Sequence, residues 1–478
     1  AFERLGGVDS FGYPKTEARP DSHPEALVAV DDPPTGVVRQ YFQAGVLEAY
    51  THTTLTVTIR PVGTELRDRL YPDDEWIGLL AFRQTAPVET WASHPRGFLR
   101  HTAQPVLAID RGVLVGRATH PYGIAYHSQR HLLQSESGGW YALTFDGDNG
   151  VVAYSPDGRS FEQRQVVTHL QTGFGMSMYE IDGRLYILYA DSSKRQLFLR
   201  IGTPGPDGLS LGEPILVADM KASFMAYLSN LAIGPDGLPW IVIRSYKSTP
   251  EGSINHIWLT HAIDDSLDSW LEPTRLTTDE EGVRVGFGGS GSLAFAGDDL
   301  VVVFILIDEL RAIVGDGDSL DELVTETLGS FLGTHDFIII GDGDTSHLAY
   351  HAAHLQGQMM VYQSYTPATG WSDIEEVGPT GTHATAMTID DSGNVWVFYG
   401  ITSEIMFRVR PAGGGGFGPV GCAVRLDPLF LAGSPWLASA QPAGDQVGLL
   451  WTIRIADRWE VRFAALDFDT ALAGAPCP

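Results

Sequence analysis

Small residues, glycine-bearing turns and continuous apolar runs follow one another in fixed order through most of this chain. The runs VVVFIL (301–306), VWVFY (395–399), LPWIVI (238–243) and GLLWTI (448–453) are apolar almost throughout. A strand that reads this way is covered on both faces, whereas period-two alternation marks a strand wet on one side. Asp-Gly, Ser-Gly or Ala-Gly pairs precede most of these runs, and such pairs supply the positive φ that tight hairpins need. Ahead of the turns lie segments rich in Gly, Ser and Ala, such as GFGGSGS (286–292) and THATAM (382–387), which suit strands crowded about one axis.

The unit recurs about seven times at a period of about 40–50 residues with four strands per copy, and it is clearest over 382–424. Such a repeat predicts an all-β, seven-bladed β-propeller. Inner strands are expected to begin near His131, Gly173, Phe224, Gly286, Thr334, Thr382 and Ser434. The last copy offers only three strands. PVLAIDRGVLVG (105–116) is therefore expected to supply its outer strand and close the ring, leaving no open sheet edge. On this reading the propeller covers 105–478.

Residues 1–104 form a small α+β accessory domain on the same reading. THTTLTVTIRPVG (51–63) alternates as a strand, and TELRDRLYPDDEWIGLLAF (64–82) contains a short helical segment. FGYPKTEARP (11–20) and GVVRQYFQAGVLEAY (36–50) resemble the two halves of an LGFP-type repeat. Gly12, Tyr13 and Pro14, then Tyr41, Phe42, Gln43 and Gly45, carry the match. The resemblance implies an exported bacterial protein, extracellular or at the cell surface, and covers about a tenth of the chain.

A second resemblance lies inside the blades. YSPDGRSF (154–161) resembles the Asp-box turn of sialidase-like (BNR) blades, through Ser155, Asp157, Gly158 and Phe161, with Gly one residue early. Asp boxes are structural turns remote from catalysis. A sialidase also needs three convergent arginines, a Tyr–Glu pair and an acidic proton donor, and no convincing Tyr–Glu pair stands out.

The charge is −28, from 59 acidic against 31 basic residues, and only four of the latter are lysines. Such a field repels nucleic acid and anionic membrane surfaces. It suits cation binding, a cationic partner or plain solubility. No stretch approaches the ~18 apolar residues of a membrane-spanning helix. The two cysteines, Cys422 and Cys477, are too few for a disulfide scaffold or a four-ligand zinc site. In an oxidising compartment they would pair and pin the C-terminal tail.

Candidate chemistry gathers on the connections that lead into the inner strands and on those joining second to third strands. These share one mouth of the ring. THPYGIAYHSQRHLL (119–133) concentrates histidine, tyrosine and arginine. His131, His335 and His383 each stand at the start of a copy, where imidazoles could converge on a metal or act as a base. They serve equally well as strand caps bonded to backbone carbonyls. The acidic turn at 146–150 places Asp146 and Asp148 at a spacing that allows calcium, the one cofactor the sequence offers, or an ordinary hairpin turn.

Two function classes follow. The first is a recognition or structural module that binds a carbohydrate, a partner protein or copies of itself. The alternative is a carbohydrate-active enzyme, a polysaccharide lyase or glycosidase. In that case His131, Tyr126, Arg130, His383 and Tyr227 would be catalytic, with Arg neutralising a uronate and His or Tyr moving the proton. Ligand contacts would come from His127, His335, Arg284, Tyr246 and Lys247.

Overall fold

A computed structural model of the chain describes the backbone of four strands between residues 19 and 60. From 112 to 467 it describes all but a set of connecting segments, the longest being 119–123, 170–174, 283–290, 331–336 and 426–435. The chain divides into two compact units, Ala1–Ala108 and Ile109–Pro478. In the first, strands Arg19–Pro20, Val37–Tyr41, Val46–Tyr50 and Thr56–Arg60 form one antiparallel sheet in sequence order. Val37 faces Tyr50 and Val46 faces Arg60 across its ladders. The helical segment expected over 64–82 lies outside the described residues.

The second unit is a seven-bladed β-propeller. Blade one comprises Leu132–Gln134, Trp140–Phe145, Asn149–Ser155 and Gln163–His169. Blade two comprises Met176–Ile181, Arg184–Asp191 and Gln196–Gly205, with the outer pieces Gly208–Leu211 and Ile215–Asp219. Blade three comprises Met225–Ile233, Pro239–Thr249, Gly252–His261 and Thr274–Arg275. Blade four comprises Ser292–Ala296, Asp299–Ile305, Glu309–Asp316 and Val324–Ser330. Blade five comprises Phe337–Asp342, Thr345–His354 and Gly357–Thr366, flanked by Gly370–Trp371 and Glu375–Thr380. Blade six comprises His383–Ile389, Val395–Ile401, Glu404–Arg410 and Gly421–Arg425. Blade seven comprises Trp436–Ala443, Gln446–Ile455 and Arg458–Asp467, and its fourth strand is Val113–Ala118 from the other end of the ring.

The continuous apolar strands are explained by their two neighbours. In blade four Val301, Val303 and Ile305 pack with Phe337, Leu348 and Tyr350 of blade five. The intervening Leu300, Val302 and Phe304 pack with Trp240, Val242 and Leu259 of blade three. Blade six repeats the division. Trp396 and Phe398 join Leu449 and Trp451 of blade seven, whereas Val397 and Tyr399 join Ala349 and Met360 of blade five. Each second strand thus belongs to two cores at once, so no position along it can be polar at low cost.

Crowding toward the axis also shows directly. A Cβ on Gly341 would sit 2.6 Å from the backbone oxygen of Phe295 on the neighbouring inner strand. Helical turns among the described residues are limited to Asp279–Gly282 and Leu320–Glu322. No helix of the described residues is long and apolar enough to cross a membrane.

Candidate functional site

The described end of the chemistry-rich stretch before blade one, Ser128 to His131, is drawn into the ring. Ser128, Gln129 and His131 are only 1%, 1% and 0% exposed. The Ser128 carbonyl accepts a hydrogen bond from Asn230 Nδ2 of blade three, and the same amide donates to Ser292 Oγ of blade four at 2.7 Å. Gln129 Nε2 donates to the Ser229 carbonyl at 2.9 Å. Met178 N of blade two donates to the Arg130 carbonyl at 2.8 Å. One short segment therefore ties blade one to blades two and three and, through Asn230, to blade four. Gln129 Oε1, Ser177 Oγ and Ser229 Oγ beside these contacts are buried without a partner among the described residues. Ordered water is the natural occupant of such a place.

His131 sits in this framework as a cap. Its Nδ1 lies 3.0 Å from the Leu143 carbonyl, which can only accept, so the proton is on Nδ1. Its own carbonyl accepts from Leu143 N at 2.8 Å. Arg130 behaves differently. Its guanidinium lies over the Tyr179 ring at 4.7 Å from the centroid, a cation–π arrangement. Both side chains border a recess of about 370 Å³ whose other walls include Ile233, Phe295, Gly341 and the turn residues Gly297, Asp298, Gly343 and Asp344. Those turns join first to second strands, so the recess opens at the mouth opposite to the one where the sequence gathers its histidines.

Tyr126, His127, Arg284 and His335 lie outside the described residues, as do the side chains of Tyr227 and His383, whose backbones run in the inner strands of blades three and six. Tyr246 is half-buried and Lys247 exposed on the second strand of blade three, opposite Asn255 and Ile254. Cys422 is half-buried on the outer strand of blade six opposite Met406. Cys477 lies outside the described residues, and with it the expected pairing.

At the acidic turn, Asp146 Oδ1 accepts from the Asp148 and Asn149 amides at 2.9 and 2.8 Å, and Oδ2 from Asn149 Nδ2 at 3.2 Å. The carboxylate is thus used to shape the turn. Among the described residues no three His, Cys, Asp or Glu side chains come together as a ligand set.

The Asp-box-like turn has a defined structural job. Ser155 Oγ accepts from Gly158 N at 2.8 Å, and Asp157 Oδ1 from Arg159 N at 2.9 Å. Gly158 has φ +73°, and a Cβ there would come within 2.9 Å of Phe463. Phe161 is delivered onto Phe463, with ring centroids 5.3 Å apart. Two further turns of this kind were not anticipated from sequence. Pro367 to Gly370 leads to Trp371, which packs on Tyr365 at 5.4 Å. Pro411 to Gly416 leads to Phe417, which packs edge-on against Tyr362 at 5.3 Å. A glycine directly before an aromatic residue was the available signal.

Among the described residues one imidazole is pushed far from its ordinary pKa, and it lies in the wall between blades five and six. His347 is 6% exposed, with Nδ1 2.6 Å from the Tyr362 hydroxyl. Burial first, and the Arg410 charge second, push its pKa down to about 4. An unfolded histidine titrates near 6.5. Stability from this group is therefore whole above pH 6.5 and is lost as the pH falls toward 4, because only the unfolded chain takes up the proton. The loss should reach about 3 kcal/mol. Urea midpoints followed from pH 7 to 4 should fall less steeply for His347→Gln than for the parent; equal slopes would refute the assignment.

No family model matches the sequence, and neither does any curated relative. Solved structures similar to this chain include the polysaccharide lyase Uly1, at 9% identity over 74% of this chain and 92% of that one, TM-score 0.45. The α-L-arabinanase of Penicillium chrysogenum, solved with arabinobiose, is 9% identical over 75% of this chain and 98% of that one, TM-score 0.41. The β-propeller domain of the Trilobed protease from Pyrococcus furiosus is 13% identical over 71% and 97%, TM-score 0.38. These likenesses concern the ring of blades alone.

Proposed function

We propose that this chain is an exported bacterial recognition module, acting at or outside the cell surface through its propeller and carrying an N-terminal LGFP-like domain. Its partner would be a glycan, with a protein or a second copy of the chain as the other outcomes. One observation carries the choice of recognition over catalysis. At the end of the segment richest in reactive side chains, Ser128, Gln129 and His131 are buried in the ring, the first two bonded to the inner strand of blade three and the imidazole to the second strand of blade one. A base held on a backbone carbonyl in the wall of the channel is placed to fix a blade, not to reach a sugar. The acidic charge supports the exclusion of nucleic acid.

The test is a calorimetric titration of the whole chain against neutral, anionic and cationic polysaccharides, paired with assays for unsaturated uronate and for new reducing ends. Saturable binding to at least one polysaccharide without turnover is expected. Turnover lost on His131→Ala would instead establish the lyase or glycosidase reading, and silence across the panel would leave protein or self-association to be read by sedimentation. In an exported chain Cys422 and Cys477 are expected to be bridged, so thiol titration of the unfolded protein should find reactive thiols only after reduction.

A further inference from the structure

We infer that the recess at the first-to-second-strand mouth binds a small zwitterionic ligand, with its carboxylate on Arg130 and its cationic end toward Asp298 and Asp344. This goes beyond the glycan reading, since the recess lies at the other mouth and would bind its ligand whether or not the ring holds a polysaccharide.

Half-buried Arg130 lines the recess without a carboxylate in ion-pair contact among the described residues. Among the described residues the Arg130 guanidinium has no carboxylate or carbonyl partner; its only side-chain contact of note is the Tyr179 ring at 4.7 Å. Guanidinium offers five donors in a planar fork, a shape that suits a carboxylate. The group is also held in place. The Arg130 carbonyl accepts from Met178 N at 2.8 Å, and its neighbours Gln129 and His131 are pinned by bonds of 2.9 and 3.0 Å. Little freedom remains to be lost on binding.

The rim has the opposite sign. Gly297 N donates to the Gly343 carbonyl at 2.8 Å, which brings the turns of blades four and five side by side. Asp298 and Asp344 follow those glycines, are exposed, and have no cationic partner among the described residues. They do not close on Arg130, and the intervening space of about 370 Å³ lies in the lower part of the range for small-ligand sites.

These charges select a class of ligand. A simple anion is attracted by the guanidinium but repelled by two carboxylates lining the same recess. A simple cation is attracted at the rim but meets a guanidinium beneath it. A molecule with a carboxylate at one end and an ammonium at the other satisfies both, and the aromatic ring of Phe295 and the side chain of Ile233 can cover a short apolar linker between them.

The experiment is calorimetry on the full chain at low salt with 4-aminobutanoate and 6-aminohexanoate, and with butanoate and butylamine as half-ligands. At least one ω-amino acid should bind about tenfold more tightly than either half-ligand. Arg130→Met keeps the aliphatic stem against Tyr179 and should weaken that binding by about tenfold or more. The double substitution Asp298→Asn with Asp344→Asn should abolish the preference for the amino acid over butanoate. Both aspartates are exposed on turns, so this variant tests the site even if Arg130→Met does not fold. Failure of both ω-amino acids to saturate, or affinities unchanged in both variants, would overturn the proposal.

Discussion

A chain that starts at residue 119 is expected to lose the cooperative unfolding transition of the ring, whereas one that starts at Ile109 keeps it. The difference between them includes one strand, Val113–Ala118, paired from Ala118 opposite Trp459 to Val113 opposite Phe463. Val115 is fully buried and shares a core with Leu132 and Trp140 of blade one and Val461 and Phe463 of blade seven. Gly112 immediately precedes the strand at φ +65°, where a Cβ would come within 2.5 Å of Trp451 and the Phe463 carbonyl. Its carbonyl accepts from Arg462 Nη1 at 3.0 Å. Losing about five ladder bonds and the buried side chains removes on the order of 5–10 kcal/mol. That approaches the whole stability of an ordinary domain. Circular dichroism melts of the two chains decide the matter, and equal midpoints would show that the ring stands without its closing strand.

Asp390→Ala should destabilise the ring by about 4 kcal/mol, a large effect for a turn residue. Asp390 is 8% exposed. Its Oδ1 accepts from the amides of Ser392 and Asn394 at 3.0 and 2.9 Å, and Oδ2 accepts from Trp396 Nε1 at 2.8 Å and Asn394 Nδ2 at 2.9 Å. Truncation loosens the turn and also leaves the indole N–H of a fully buried tryptophan unpaired. Adding Trp396→Phe should recover part of the loss, since it removes the stranded donor.

Blade three shows why the carboxylate matters. There the same spacing runs from Gly234 to Trp240, and Trp240 Nε1 is buried without a partner among the described residues. The ring stacks on His261 at 4.0 Å instead. Urea midpoints of the single and double variants provide the check; a loss below about 1 kcal/mol for Asp390→Ala would mean that solvent satisfies the indole.

The architecture was legible because its cause is local and repeated. VVVFIL and VWVFY are apolar throughout since alternate residues enter different cores, and the deficit of one strand in the last copy pointed back to the segment that contains Val113. The site was harder for a physical reason. Polar residues in a connection look the same whether they face water or line the axis of a ring. Nothing in SQRH (128–131) says that Gln129 bonds Ser229 a hundred residues away, or that Arg130 faces the far mouth. Such contacts depend on which blades stand near one another across the axis, and a period does not encode that. The residue preference of the Asp390 turn was visible as a hairpin signal, but its bond to Trp396 was not.

The closing strand has a consequence for how the protein is made. Arg462 and Gly112 are hydrogen-bonded yet stand 350 residues apart in sequence. At a synthesis rate of about 5–20 residues per second, the first-made strand of the ring waits roughly 20 to 70 s for its partner. Over that interval it is an unsatisfied edge beside blades that have already formed, open to pairing with another chain. Closure of this ring therefore has to wait for the synthesis of blade seven, and the open edge is where a cell would lose molecules to misassembly.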